Sequence, residues 1–341
     1  MNAFVPKAGL RNGHVMTIYA WGKPRRFEDL PAAEERHFQV TEDTQVLAHC
    51  FWQKHAERHP LLLALHGLEG SSSAHYMRGL AAKGRRAGFN VVLLNQRNCG
   101  DTEHLGPGLY HSGLTHDADH VIAELARTDR IDRVVVAGYS LGGNLALKLA
   151  GDYGAAPPPQ LRGVVAVSPV MDLARCVDAL ERRSNFIYQW NFVRGLRARM
   201  RRKDRCHPGR FDLAPLPQIR SVRAFDDRYT APFFGYNGAA DYYHRASALR
   251  VVDRITIPAL IVAAADDPFV PPEPFDDAAV TGNPHIRVEL SDHGGHCAFV
   301  TEPGAGTDGY WAEDRIIEFA SGIVRPTAGH SDTTPDAANA Q

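Results

Sequence analysis

RVVVAGYSLGGNLALKLAG, residues 133–151, decides the fold. Its first third is a run of Val and Ala, as in a strand buried on both faces, and its last third carries the Leu and Ala spacing of a helix. Between them Gly138, Tyr139, Ser140, Leu141 and Gly142 form G-x-S-x-G. A strand that turns into a helix this abruptly holds its central serine in a strained conformation, and small residues on both sides avoid clashes with neighbouring backbone. Gly143 adds further room. Ser140 is therefore a candidate nucleophile at a helix N-terminus, where free N–H groups favour developing negative charge.

Similar strands lie on either side: LLLALH (61–66), VVLLN (91–95), GVVAVS (163–168), ALIVAAA (259–265) and HIRVEL (285–290). Between the first five strands come segments able to form crossover helices, which predicts a mostly parallel sheet covered on both faces. Residues 36–52 alternate more loosely and predict an antiparallel hairpin at the sheet edge. The spacing breaks between about 170 and 250, far more than one crossover requires, so a helical cap is expected there. Within it, residues 182–210 carry ten basic residues and one acidic residue, with aromatics through the first half. Helices covering a pocket are the preferred reading of that segment; peripheral contact with an anionic membrane or partner is the other.

Strand ends supply the remaining chemistry. LLLALH runs into His66, Gly67, Leu68, Glu69 and Gly70, a turn whose exposed backbone makes the N–H groups of Leu68 and Leu141 the expected oxyanion donors. A serine hydroxyl needs a base, and the base needs a carboxylate to orient it. Asp267 follows ALIVAAA and directly precedes a Pro, Phe, Val, Pro turn; Asp266 and Asp172 are the alternative acids. His296 follows two glycines and precedes the apolar CAFV, with His293 as the alternative base. The order Ser, Asp, His is the one that accompanies a nucleophile elbow on such a sheet. His116 and His120 have helical i, i+4 spacing but lack the glutamate of a zinc motif and any evident third ligand, so no metal is expected. Cys297, next to His296, is expected to point away from it.

Composition narrows the class. With 44% hydrophobic and 23% charged residues in 341, the chain can bury a large core and is neither disordered nor fibrous. A net charge of -1 excludes general electrostatic binding of nucleic acid. Five scattered cysteines, none in a C-x-x-C pair, suggest reduced thiols rather than a disulfide framework. Together with an N-terminus lacking an unbroken apolar stretch, they suggest a cytoplasmic protein.

With these residues in place the chain resembles the YheT-like branch of the α/β-hydrolase superfamily, which includes the ABHD-type lipid hydrolases and yeast medium-chain ester synthase/esterases. The resemblance runs nearly end to end, through FVPKAGLRNGHVMTIY, HGLEG, YHSGLTHDA, GYSLGGN, FDDRYTAPFFGYNGAADYYHRASA, DDPF and HGGHCAF. It implies an α/β-hydrolase fold, a triad of Ser140, Asp267 and His296, carboxylic esters as small-molecule substrates, and no cofactor. The expected organisation is one hydrolase domain over 1–325, with its core at about 30–170 and 250–325, the cap at about 170–250, and a disordered tail at 326–341. A carboxylesterase is the leading reading; acyl transfer to an alcohol uses the same triad, and a non-catalytic binding protein would keep only the fold. A serine at the elbow disfavours dehalogenase or epoxide hydrolase chemistry, which uses a carboxylate nucleophile. Asn98 departs from the common pattern and leaves the adjoining pocket wall open. For Asp226, Thr230 and the Tyr242–Tyr243 pair the expectation is that they dock the cap.

Overall fold

The computed structural model describes residues 3–304 and 306–324; the tail expected to be disordered, 326–341, lies outside them. Eight strands form one sheet: β1 Glu34–Thr41, β2 Thr44–Phe51, β3 Leu61–Leu65, β4 Asn90–Leu94, β5 Val134–Tyr139, β6 Leu161–Val167, β7 Ala259–Ala264 and β8 Ile286–Ser291. Their order is β1-β2-β4-β3-β5-β6-β7-β8. The β1–β2 hairpin at the edge is antiparallel, as is β2 to β4, and every other pairing is parallel. This is the α/β-hydrolase architecture expected from the sequence.

The apolar strands follow from their two-sided burial. Leu61, Leu63 and Leu65 of β3 enter one core, while Leu62 and Ala64 enter the other. A strand's side chains alternate between faces, so a run that is apolar at every position is stable only where helices cover both. Helices α2 (His75–Arg86) and α8 (Trp311–Val324) supply Met77, Leu80, Ile316 and Ala320 to one core. On the opposite face, α3 (His116–Thr128) and α4 (Leu141–Tyr153) supply Val121, Leu125, Leu145 and Leu149.

Between β6 and β7 run α5 (Leu173–Leu180), α6 (Phe186–Cys206) and α7 (Gly238–Ala246), with shorter turns between them. Their apolar faces, including Val177, Val193, Leu196 and Tyr243, join the core on the α4 side. Buried Asn144 of α4 is the principal polar tie. Its Nδ2 donates to the carbonyls of Ser112 (2.8 Å) and Ala246 (2.9 Å), and its Oδ1 accepts from Ala248 N at 2.8 Å. Tyr242 Oη accepts from Ser112 N at 2.9 Å, so the YHSGL loop, α4 and the end of the insertion are held as one unit. The N-terminal helix α1 (Gly13–Gly22) lies against the loops that follow β7 and β8.

Candidate active site

Ser140 stands between β5 and α4 with φ 54° and ψ −114°, a conformation that L residues adopt at a cost of about 1–3 kcal/mol when the surroundings enforce it. The surroundings do so through glycines. A Cβ on Gly138 would lie 1.9 Å from Gly142 O, and one on Gly142 would lie 2.2 Å from Leu65 O. These are backbone atoms that cannot turn aside, so larger residues would force the elbow apart. Ser140 N donates to Val167 O at 2.8 Å, anchoring the strained residue to β6.

The turn after β3 lies against the serine: a Cβ on Gly67 would come 3.3 Å from Ser140 Cβ. His66, fully buried, holds this turn. Its Nε2 accepts from Gln96 N at 3.1 Å and its Nδ1 lies 2.8 Å from Gly67 O, so Nδ1 carries the proton. Burial pushes its pKa down to about 4, keeping the ring neutral. Within the turn Gly67 N donates to Tyr76 Oη (3.2 Å), Glu69 N to Tyr110 Oη (3.3 Å) and Gly70 N to Gly67 O (3.0 Å). Leu68 N–H, between these occupied groups, has no such partner among the described residues. Leu141 begins α4, so its N–H is among those without an intrahelical acceptor. Leu68, Ser140 and Leu141 line one cavity.

His296 and Asp267 are brought together by the loops after β8 and β7. His296 Nδ1 lies 2.8 Å from Asp267 Oδ2, with side-chain exposures of 11% and 1%. Asp267 Oδ1 accepts from the N–H groups of Phe269 (3.1 Å) and Val270 (3.0 Å), which orients the carboxylate. Burial acts to lower the His296 pKa, but the Asp267 charge, with a smaller contribution from Cys297, lifts it above the ordinary imidazole value. Phe269 links this pair to the cavity: it lines the cavity wall, and its ring centroid is 4.1 Å from that of His296. No hydrogen bond joins Ser140 to His296, a kind of contact that commonly tightens only in the substrate complex.

The alternative acids and bases have other partners. Asp266 accepts from Gly295 N at 2.9 Å and meets His293 Nδ1 at 3.3 Å, forming a second, more exposed pair beside the first. Asp172 caps α5 by accepting from Arg175 N. His116 Nε2 lies 3.0 Å from Val40 O, and no cluster of metal-ligating side chains occurs among the described residues. Two expectations need correction. Cys297 does not point away: its thiol interacts with the His296 ring and helps to raise that ring's pKa, while its Sγ also lies 3.6 Å from Val167 O. Asp226, Thr230, Tyr242 and Tyr243 do more than dock the insertion, since all four line the cavity. Tyr243 Oη donates to Asp226 Oδ2 at 2.8 Å, and burial pushes the Asp226 pKa up to about 6.

Other residues here had no role assigned from sequence. Thr17 of α1 accepts from His296 N at 2.8 Å and donates to Gly13 O at 2.6 Å, while a Cβ on Gly13 would lie 1.9 Å from Asp266 O. The N-terminal motif thus buttresses both loops. His111, its pKa pushed down to about 3 by burial, lines the cavity as a neutral ring whose Nδ1 accepts from Gly113 N. Asn98, with φ 65°, also lines the cavity. It donates to Gly108 O (2.9 Å) and accepts from Lys203 Nζ (2.5 Å), so a cap lysine shapes that wall. Arg199 Nη2 approaches Glu69 Oε1 at 2.6 Å, joining α6 to the turn that carries Leu68.

The family profile described as the alpha/beta hydrolase fold matches residues 60–303. The chain is 32% identical to the candidate esterase YheT of Escherichia coli over 93% of this chain and 92% of that one. It is 28% identical to mouse phospholipase ABHD3 over 79% of this chain, spanning 65% of that protein. The yeast medium-chain fatty acid ethyl ester synthase/esterase 2 is 26% identical over 76% of this chain and 61% of its own length. Among solved structures, the Pyrococcus furiosus esterase Pf2001 superposes with a TM-score of 0.58 at 15% identity, covering 88% of this chain and 97% of that one, a likeness of fold.

Proposed function

The chain belongs to the α/β-hydrolase family, and from that premise we propose that it is a serine carboxylesterase acting on short- to medium-chain acyl esters or lipid esters. The observation that carries the reading is Ser140, strained at the head of α4 in a largely apolar cavity also lined by Leu68 and Leu141. With Nδ1–H given to Asp267, His296 takes the Ser140 proton on Nε2 as Oγ attacks the ester carbonyl. Leu68 and Leu141 N–H groups stabilise the oxyanion, and each such donor is worth about 2.7–4 kcal/mol in the transition state. The proton on Nε2 passes to the leaving alkoxide as the C–O bond breaks. Water, deprotonated by the same nitrogen, then cleaves the acyl-enzyme and restores Ser140.

Mostly aliphatic and aromatic walls, with Leu109, Val170, Leu196 and Phe225 among them, favour an acyl chain over a polar substrate. The names of the relatives, esterase, phospholipase and ester synthase, agree with esters as the substrate class. No helix among the described residues is long and apolar enough to cross a membrane. Five unbonded cysteines support a cytoplasmic, reducing location.

The test is hydrolysis of a para-nitrophenyl ester chain-length series, with fluorophosphonate labelling, by wild type and Ser140→Ala. Wild type should turn over and label, and the variant should do neither. A wild type that cleaves none of the series and leaves Ser140 unlabelled would sink the proposal. Because one relative is a synthase, products are also measured with and without ethanol; ester in place of acid would identify acyl transfer.

A further inference from the structure

The ten basic residues of segment 182–210 do not form one patch. Arg199, Arg202 and Lys203 turn inward, onto Glu69, Glu103 and the Asn98 side chain. Arg194, Arg197 and Arg201 turn outward with Phe186 and Trp190; these positions repeat at three- and four-residue intervals and so form one stripe of α6. Together with Arg220 they line a shallow groove that includes no carboxylate. None of the four arginines makes an ion pair with an acidic side chain among the described residues. Arg194 lies over the Trp190 ring at 4.9 Å, and Arg197 Nε is buried without a hydrogen-bond partner.

The apolar side of the surface is equally localised. Eight large hydrophobic residues are exposed among those described, and six lie on two helices: Phe186, Ile187 and Trp190 of α6, and Val15, Ile18 and Trp21 of α1. Trp21 is 70% exposed and Phe186 67%. The helices touch where the His14 ring stacks on Tyr188, centroids 5.8 Å apart and planes 16° from parallel. Tyr188 in turn meets Phe269, which packs on His296, and the opposite face of α6 puts Phe192, Leu196 and Met200 into the cavity.

We propose that the exposed faces of α1 and α6 form a docking surface for an anionic lipid interface, with the apolar tips entering the headgroup boundary and the four arginines meeting lipid phosphates. Exposed Trp and Phe beside unpaired Arg suit such an interface, which offers hydrocarbon and negative charge within a few ångströms of each other. An acidic protein surface would satisfy the arginines and leave six apolar side chains in water. Docking by α6 would bring the surface of the lipid phase next to the helix that walls the cavity. The proposal goes beyond the esterase reading and does not depend on it, because binding is measured without turnover.

The experiment is co-sedimentation of the full chain with vesicles of phosphatidylglycerol and phosphatidylcholine, or of phosphatidylcholine alone, at low and high salt. Binding is expected to the anionic vesicles, at least tenfold weaker to the neutral ones, and weakened by salt. Arg194→Glu/Arg197→Glu/Arg201→Glu and, separately, Phe186→Ser/Trp190→Ser should each reduce binding at least tenfold. Both should match the wild type in far-UV circular dichroism and in cooperative thermal unfolding, which shows that they fold without relying on turnover. Ser140→Ala should bind as wild type does, separating docking from catalysis. Absence of wild-type binding to anionic vesicles at low salt, equal binding to neutral vesicles, or binding untouched by both surface variants overturns the proposal. So does retention on an acidic protein or soluble polyanion by a chain that ignores vesicles.

Discussion

Removing the charge of Glu69 should destabilise the protein more than removing that of Arg199, and removing both should largely restore it. The two side chains are 14% and 6% exposed, with Arg199 Nη2 2.6 Å from Glu69 Oε1. Glu69 Oε1 and Arg199 Nε nevertheless lack a well-angled hydrogen bond, so charge rather than a bidentate fork holds the contact. Breaking a buried pair by removing one partner typically costs about 3–5 kcal/mol, because the other charge stays desolvated. The partners differ in how they escape that cost. Arg199 cannot shed its proton, and after Glu69→Gln its charge is left facing the Tyr110 ring, 4.8 Å away, with the Tyr110 hydroxyl and Cys99 thiol beside it and no carboxylate in place of Glu69. A cation–π contact of this kind offsets at most about 2 kcal/mol, leaving a loss of roughly 2–4 kcal/mol. Glu69 can take up a proton: burial already raises its pKa, with Arg199 opposing. Arg199→Met should therefore cost about 1–2 kcal/mol at low pH and more as pH rises, since the native state then binds a proton that the unfolded state releases. The double variant should lie within about 1 kcal/mol of wild type. Urea unfolding at several pH values measures all three. Glu69 adjoins Leu68 and donates its own N–H to Tyr110, so each single variant should also lower kcat for a para-nitrophenyl ester, by up to about a hundredfold if the donor shifts. Single variants within 0.5 kcal/mol of wild type, or a double variant whose loss is the sum of the two, would refute the reasoning.

Two further outcomes follow from the site. If His296 is the base of the proposed mechanism, activity requires its neutral form, and its raised pKa places the acid limb of kcat/KM above about 6.5, the ordinary imidazole value. Asp267→Asn removes the charge that opposes burial, so the limb should move to lower pH while kcat falls by up to about 10⁴; a limb that stays in place would count against the pairing. Asn144→Ala leaves the Ser112 and Ala246 carbonyls and Ala248 N–H without their partner, an expected loss of about 2–4 kcal/mol. Thermal unfolding checks it, and an unchanged midpoint would show that these groups find other partners.

Much of the site was legible because its defining features are local. A strand, a serine between glycines and a helix occupy nineteen consecutive residues, and the steric demand of that turn is written into the residue types that make it. Apolar runs such as LLLAL likewise announce strands covered on both faces. What the local pattern does not contain is the surroundings in which each side chain ends up. Asp266 and Asp267 are neighbours with the same charge, and so nearly are His293 and His296. Packing gives them different surroundings, seating Asp267 on two backbone N–H groups at 1% exposure and placing Asp266 against the more open His293.

The same division holds over longer distances. From sequence alone, segment 182–210 is a single block of positive charge, and the N-terminal motif that overlaps α1 carries a resemblance but no structural role. Folding turns Arg199 and Lys203 inward onto loops about a hundred residues away, leaves Arg194 and Arg201 exposed with half-buried Arg197 between them, and sets Thr17 against the backbone of His296. It also carries Asp226 into the cavity beside Ser140. Backbone sterics and side-chain periodicity act within a few residues and are therefore determined by the sequence itself. Burial and pairing of charges depend on which distant segments meet, and only the tertiary structure decides them.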